Sequence, residues 1–321
     1  MNMTIESYKE HFAPQRADVK GGKYISVFII RKTESECIFR TDKEISNEIT
    51  LAGKTRRDLD TQFARVYISK RKQVAPERRS GREILRKFGL LNKNEDGSPC
   101  EINSKKMCGK CADCCLYGSA IGDEGALKSH VVSDESFSML PYDVVTTEHT
   151  FNAIYDTGTM IDASGKQSQA LGTDEVVRPG EFFLDIETIT DVTMDEFIYV
   201  LANITRTRRY GAMSSRLGKM SNLVIGIAFS NCELFANLEW TQETYDEICH
   251  ELKVADDTVP DFPLDPDVVK RCAENVMRRK VGTMNGEVLL LDAKETAQII
   301  DQVSDIYRDE KKLKTVLSRL A

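Results

Sequence analysis

Apolar positions along the chain fall into runs of two kinds. Near the N-terminus, KYISVFIIRK (Lys23–Lys32) is an unbroken apolar stretch rich in β-branched and aromatic residues, which predicts a buried strand. EFFLDIETIT (Glu181–Thr190) and NLVIGIAFS (Asn222–Ser230) repeat that pattern, and ECIFRTD reads as a further extended piece. Leu59, Phe63 and Val66 recur at helical spacing and predict a helix over residues 56–69. GREILRKFGLL (Gly81–Leu91) predicts a short amphipathic helix, and MDEFIYVLANITRTR a longer one capped by Asp191 or Thr193. Residues 135–180 lack helical periodicity and alternate extended pieces with the turn signals DTGT, DASGKQ and RPGE, as a long β-hairpin or arm would. After Glu233 the pattern turns helical, in WTQETYDEICHEL, PDVVKRCAENVMRRK and KETAQIIDQVSDIYRDEKKLKTVLSRLA, with GEVLLLD as a short strand between the last two.

This order predicts an α+β fold on an antiparallel sheet, with an RRM-like (ferredoxin-like) core interrupted by insertions as its simplest version. The expected core is residues 20–50 and 181–232 with 120–134. Residues 51–119 would form a basic, cysteine-bearing insertion, 135–180 the hairpin and 233–321 a helical C-terminal region.

Composition changes the picture in two places. The chain of 321 residues is 41% hydrophobic and 30% charged, which reads as soluble and globular. It has no apolar stretch of the roughly 20 residues needed to cross a bilayer. The first residues lack a signal-peptide core, so the expected location is the cytoplasm, away from membranes. The net charge of −7 argues weakly against a nucleic-acid partner, but its distribution argues for one. Lys54–Lys87 holds 12 basic and 4 acidic residues, and Arg206–Lys219 holds 5 basic and no acidic ones. Such segregation marks placed anion sites more often than camouflage.

The second place is cysteine. Five of the nine lie in CEINSKKMCGKCADCC: Cys100, Cys108, Cys111, Cys114 and Cys115. In a reducing compartment this cluster reads as metal ligation, and four thiolates suit a closed, structural zinc site. Cys100, Cys108, Cys111 and Cys114 are the preferred ligands; Cys115 in place of Cys114, and His130 in place of Cys100, satisfy the spacing as well. A redox C-x2-C pair and an iron–sulfur cluster are the competing chemistries.

The first basic segment offers Arg56, Arg57, Arg65, Lys70, Arg71, Lys72, Arg78, Arg79 and Arg82. The second offers Arg206, Arg208, Arg209, Arg216 and Lys219, with Tyr210 as a ring for a base and Gly211 and Gly218 for close backbone approach. Arginine forks on phosphates would give salt-dependent, sequence-independent affinity. LYGSAIGDEGALKS adds glycines and Lys128 but matches no nucleotide fingerprint. There is no HExxH, no GxSxG and no Cys–His pair spaced as a nucleophile, so no catalytic residue is assigned.

The string CGKCADCCLYGSAIGDEGALKSHVVSDESFS, with TTEHTFNAIYDTGTM and TRTRRYGA, resembles the backbone subunits of type I-D CRISPR effector (Cascade) complexes, which are RAMP-like proteins. The resemblance runs from about Lys20 to Ser230. It implies an RRM-like palm, a zinc-bearing insertion and a β-hairpin thumb. Identical copies would form a helical filament along guide RNA, beside other effector subunits, and present the guide to target DNA. Within it, Arg56, Arg57, Lys70, Arg71, Lys128 and the cations of 206–219 would hold RNA, and Phe137, Met139 and Leu140 would form the thumb's wedge. In related type III complexes a loop aspartate cuts target RNA; the resemblance would put Asp42 or Asp18 near such a loop and assigns neither of them that role. Two other readings stand beside this one: a metal-dependent nuclease on the guide-paired strand, and a zinc-knuckle adaptor that binds only proteins.

Overall fold

The buried apolar run near the N-terminus is strand β1 (Tyr24–Thr33), the middle strand of the largest sheet. The computed structural model describes residues 4–17, 19–40, 44–54, 61–94, 96–102, 106–120, 125–152, 158–161, 164–166 and 171–320. Strands β2 (Asn47–Leu51) and β3 (Gln62–Ile68) follow, then helix α1 (Lys70–Lys87) and the short α2 (Ala112–Tyr117). Four two-residue strands come next: β4 (Ser119–Ala120), β5 (Ala126–Leu127), β6 (Val131–Val132) and β7 (Ser136–Phe137). The turn α3 (Tyr142–Val145) leads into the hairpin β8 (Thr146–Asn152) and β9 (Leu171–Val177). The chain then runs through β10 (Phe182–Thr190), α4 (Met194–Arg206), β11 (Met220–Ser230), α5 (Asn237–Glu251) and α6 (Pro266–Val281). It ends with β12 (Val288–Leu290), α7 (Ala293–Arg308) and α8 (Glu310–Ser318).

The main sheet is antiparallel, in the order β12-β11-β1-β10-β6. Both its faces are covered, which is why β1 reads as continuously apolar. Ile25, Val27 and Ile29 point into a core shared with Val74 and Leu85 of α1, Phe197 and Leu201 of α4, and Ile299 and Leu313 of the C-terminal helices. Phe28 and Ile30 point the other way, into a core with Trp240 and Tyr245 of α5 and Val276 and Met277 of α6. Each such fully buried side chain contributes roughly 1.5–3 kcal/mol. Helix α6 comes so close to β11 that a Cβ on Gly226 would lie 2.7 Å from Met277 Sδ. The cap of α4 is Thr193, whose Oγ1 accepts from Glu196 N in a capping box. Asp191 instead lies at φ 52° and accepts from Lys23 N.

Two sequence expectations are corrected. Residues 62–68 form a strand paired with β2, not part of a helix over 56–69. The helical spacing of Phe63 and Val66 is overridden by the alternation that buries Val66 and Ile68. Helix α1 starts at Lys70, well before Gly81, because its buried face carries Gln73, Glu77, Arg78 and Arg82 beside Val74 and Leu85. Polar residues on a core-facing stripe erase the apolar signal. Although it lies within the stretch expected to be an insertion, α1 packs against α4 over the main sheet. The hairpin β8–β9 forms a two-stranded sheet of its own, within the arm expected over 135–180.

Behind β10, Glu181 is fully buried, and Leu140 N donates to its Oε1 at 3.0 Å. Burial pushes this carboxyl from 4.5 up to about 8. The protonated form therefore favours folding. Its contribution is complete below about pH 4.5 and is lost as pH rises through about 8. Glu181→Gln should flatten the fall in urea midpoint between pH 5.5 and 9, measured against the unmodified protein. An unchanged fall would place the titration elsewhere.

Candidate nucleic-acid interface and metal centre

The segment between α1 and β6 folds Cys100, Cys108, Cys111 and Cys114 together, with their sulfurs all within 4.8 Å of one another. Cys100 Sγ lies 3.5 Å from Cys114 Sγ and 4.0 Å from Cys111 Sγ, and Cys108 Sγ lies 3.9 Å from Cys114 Sγ. Backbone amides face the sulfurs, as thiolates require: Cys108 N donates to Cys100 Sγ at 3.3 Å, and Lys110 N and Cys111 N donate to Cys108 Sγ at 3.4 and 3.3 Å. Gly109, at φ 63°, makes the turn that aims them. The hydrogen bond with Cys114, followed by burial, pushes the Cys111 thiol well up, and burial raises Cys100. Four sulfurs packed this closely hold their negative charge together only around a cation, so the donor set fits a metal.

The alternatives left open by spacing separate here. Cys115 Sγ points away, to Gly109 O at 3.6 Å, and His130 Nδ1 is engaged with Thr190 O at 2.8 Å. The cluster is tied to α1 by Asp113, which is fully buried. Arg78 grips it with Nε at 3.0 Å and Nη2 at 2.8 Å, and Arg82 Nη1 reaches it at 2.7 Å and Cys100 Sγ at 3.6 Å.

The basic segments separate into buried and exposed cations. Arg78 and Arg82 are committed to Asp113, and Arg65 is fully buried, donating to Ser138 O, Met139 O and Ala52 O at 2.6–2.7 Å. None of these three is available to phosphate, contrary to their reading from sequence. Lys70, expected to hold RNA, donates to Val131 O at 2.9 Å, and burial lowers its pKa. Arg56 and Arg57 lie outside the described residues, as do Asp18 and Asp42.

The exposed cations converge. Thr207 Oγ1 bonds Ser80 Oγ at 2.8 Å, which joins the start of the second basic segment to α1 beside the exposed Arg79. Ile38 N donates to Gly211 O at 3.0 Å, which sets the loop beside the chain leading to Arg40, a half-buried residue whose Nη1 pairs with Asp174 Oδ1 at 2.8 Å. Lys72 is lowered by burial and then by its like-charged neighbours Arg71 and Arg40, so these three form one cation group. Arg206, Arg208, Arg209, Arg216 and Lys219 are all exposed. Arg206 lies over the Tyr307 ring at 5.2 Å, and Arg209 Nη1 donates to Leu217 O at 2.7 Å. The loop's base is a small ladder: Tyr210 N donates to Gly218 O at 2.8 Å, Gly218 N to Glu36 O at 2.7 Å and Met220 N to Arg208 O at 3.0 Å. Gly211, at φ 58°, is packed against the Phe39 ring, so here the glycines serve the loop's own folding. Lys128 is apart from this surface, in a groove with Arg16, Lys20 and His130.

Two predicted features, the stacking ring and the wedge, are corrected. Tyr210 is fully buried, with its hydroxyl donating to Glu77 Oε1 at 2.7 Å, so it presents no ring to a base. Met139 and Leu140 are fully buried in the core, and Phe137 packs on Tyr67 at 6.1 Å, so none of the three lies on the hairpin β8–β9 as a wedge. Arg40 and Arg79 were not singled out as loop neighbours, and no sequence signal marks Arg40: only the contact of residue 38 with Gly211 places it.

The model of the family described as Csc2 Crispr matches residues 11–317. No curated protein matches the chain. Among solved structures, the crystal structure of Thermofilum pendens Csc2 is similar over 97% of this chain and 94% of that one, at 15% identity and a TM-score of 0.58. A chain of a CRISPR RNA-guided surveillance complex, pre-nicking, is similar over 88% of this chain and 99% of that one, at 8% identity and a TM-score of 0.50.

The sulfur geometry makes a direct prediction. Elemental analysis of the purified protein should find about one divalent metal ion per chain. Cys114→Ser should lose most of it and lower the melting temperature, whereas Cys115→Ser should retain it. Equal loss in both variants would refute the assignment of Cys114 as the ligand.

Proposed function

The chain belongs to the Csc2 CRISPR family, and on that footing we propose that it is a guide-RNA-binding backbone subunit of a type I-D Cascade complex. In this reading identical copies line up along the guide in the cytoplasm, beside other effector subunits, and offer the guide's bases to target DNA. The single observation that carries the RNA contact is the convergence of Arg71, Lys72 and Arg79 with the exposed cations of 206–219, beside Arg40, which is paired with Asp174. Guanidinium forks on one surface of an acidic protein suit a polyanion whose sequence is not read.

The chain order β1, α1, β6, β10, α4, β11 with the strand order β11-β1-β10-β6 supports reading the main sheet as an RRM-like core. In this reading the hairpin β8–β9 would serve as the thumb. Zinc suits the four sulfurs as a closed structural site. Cys100, Cys108, Cys111 and Cys114 would hold it, and its charge would keep the thiolates ionised and fix the turn on Asp113. Among the described residues no helix is long and apolar enough to cross a membrane.

Fluorescence anisotropy with a labelled single-stranded RNA, titrated over a salt series, tests the reading. Binding should weaken with salt, and replacing Arg206, Arg208 and Arg216 together by alanine should reduce the slope of log K against log salt by about 2, at roughly 0.7 per phosphate. Absence of salt-sensitive binding would favour a protein-only adaptor. An unchanged slope in the variant would move the RNA to another surface.

A further inference from the structure

The basic loop stands on a buried polar cluster. Arg31 of β1 is fully buried and is surrounded by three buried carboxylates. Its Nη2 lies 2.6 Å from Asp185 Oδ2 and 2.6 Å from Glu187 Oε1, and its Nη1 lies 3.0 Å from Glu77 Oε1. The loop enters this cluster through one atom. Tyr210 Oη donates to Glu77 Oε1 at 2.7 Å and accepts from Arg31 Nη1 at 3.0 Å and from Asn222 Nδ2 at 2.7 Å.

Three carboxylates against one guanidinium leave an excess of buried negative charge, which is costly unless a proton neutralises it. Two oxygens show where that proton belongs. Glu77 Oε2 and Glu187 Oε2 are buried without a hydrogen-bond partner, while the other oxygen of each carboxyl lies against the same guanidinium. Asp185 has no such vacancy, since Ser133 Oγ and Asn237 Nδ2 donate to its Oδ1 at 2.8 and 2.9 Å. Burial, followed by the neighbouring Glu77 carboxyl, pushes Glu187 far above the usual carboxylate range.

We propose that a proton carried by Glu187 and shared with Glu77 latches the basic loop, by keeping Glu77 where Tyr210 is anchored. Tyr210 is then a positioning residue for the cations of 206–219, acting from inside the protein. When the proton leaves, Glu77 and Glu187 repel each other across Arg31, Glu77 withdraws and the loop's anchor loosens. The other charged groups facing the pair are Lys70 of α1, whose ammonium lies in the field of Glu187 and Asp134, and Asp185. The phenol of Tyr117 on α2 is also in the field of both glutamates, and burial keeps it protonated. The latch itself does not depend on the RNA reading; its consequence for RNA binding does.

Trypsin provides the test, because its sites in the loop are Arg206, Arg208, Arg209, Arg216 and Lys219. Cleavage of the intact protein is followed by mass spectrometry from pH 6.5 to 9.5 and normalised to an unstructured peptide of the same sequence. In the unmodified protein, normalised loop cleavage should accelerate with pH, by roughly tenfold or more, the factor carried by one hydrogen bond to a charged group. Glu187→Gln, which supplies a permanent N–H toward Glu77, should keep cleavage slow and flat across the range. Tyr210→Phe should make it fast at every pH, with circular dichroism unchanged. A flat profile in the unmodified protein, or slow cleavage in Tyr210→Phe, would overturn the latch, and both readouts stand if the glutamine variant does not fold. Anisotropy with labelled polyuridine under the same conditions separates the two proposals. If RNA binds, affinity should fall with pH in the unmodified protein and not in Glu187→Gln. If no RNA binds at any pH, the RNA reading fails while the cleavage profiles still decide the latch.

Discussion

A single buried guanidinium holds the sheet, the first helix and the basic loop in register. Arg31 binds Asp185 and Glu187 on β10, Glu77 on α1, Tyr210 in the loop and Asn222 on β11. In a low dielectric each of these contacts is strong, and leaving any one charge uncompensated costs on the order of 3–5 kcal/mol. The cluster is therefore specific as well as stabilising: β1, α1, β10 and the loop before β11 can satisfy it together in few arrangements. Apolar packing on either face of β1 supplies the bulk of the stability but would tolerate more variation. Specificity of register falls to the polar atoms.

Helix α1 links this cluster to the cysteine site. The helix presents Glu77 to Arg31, and the adjacent Arg78 and, about a turn further, Arg82 to Asp113 in the cysteine segment. At Gly81 a Cβ would collide with Tyr199 and Asn203 of α4, so the two helices meet closely there. A metal held by the cysteines would thus be braced on the same helix that braces the basic loop. Ser80, next to Gly81, completes the arrangement by bonding Thr207, the residue that ends α4.

What the sequence made legible follows from this division. β1, β10, β11 and α4 were readable because their burial is apolar and their periodicity clean. The short strand β12 and the C-terminal helices were readable for the same reason. The cysteine cluster was readable from spacing, though only the fold separates Cys114 from its neighbour Cys115. Helix α1 was legible only in its C-terminal half, because its buried face is built of ions that pair with partners 31 to 46 residues away. β3 was misread because three apolar residues happened to recur at helical spacing, while pairing with β2, itself non-local, decided the conformation.

The basic residues of Lys54–Lys87 are of two kinds. Arg65, Arg78 and Arg82 are consumed by the interior and Lys70 donates to an internal carbonyl, so these four charges are structural. The exposed Arg71 and Arg79 with the half-buried Lys72 form a set too sparse alone to bind a polyanion firmly; of the other exposed cations in the stretch, Lys54 pairs with Glu239 and Lys87 with Glu310. That set becomes a surface only because Ser80 touches Thr207 and Ile38 touches Gly211, which add the loop's cations beside Arg40. The buried ions therefore place the exposed ones: the same arginine-rich helix commits Arg78 and Arg82 to fixing the geometry in which Arg71 and Arg79 can act.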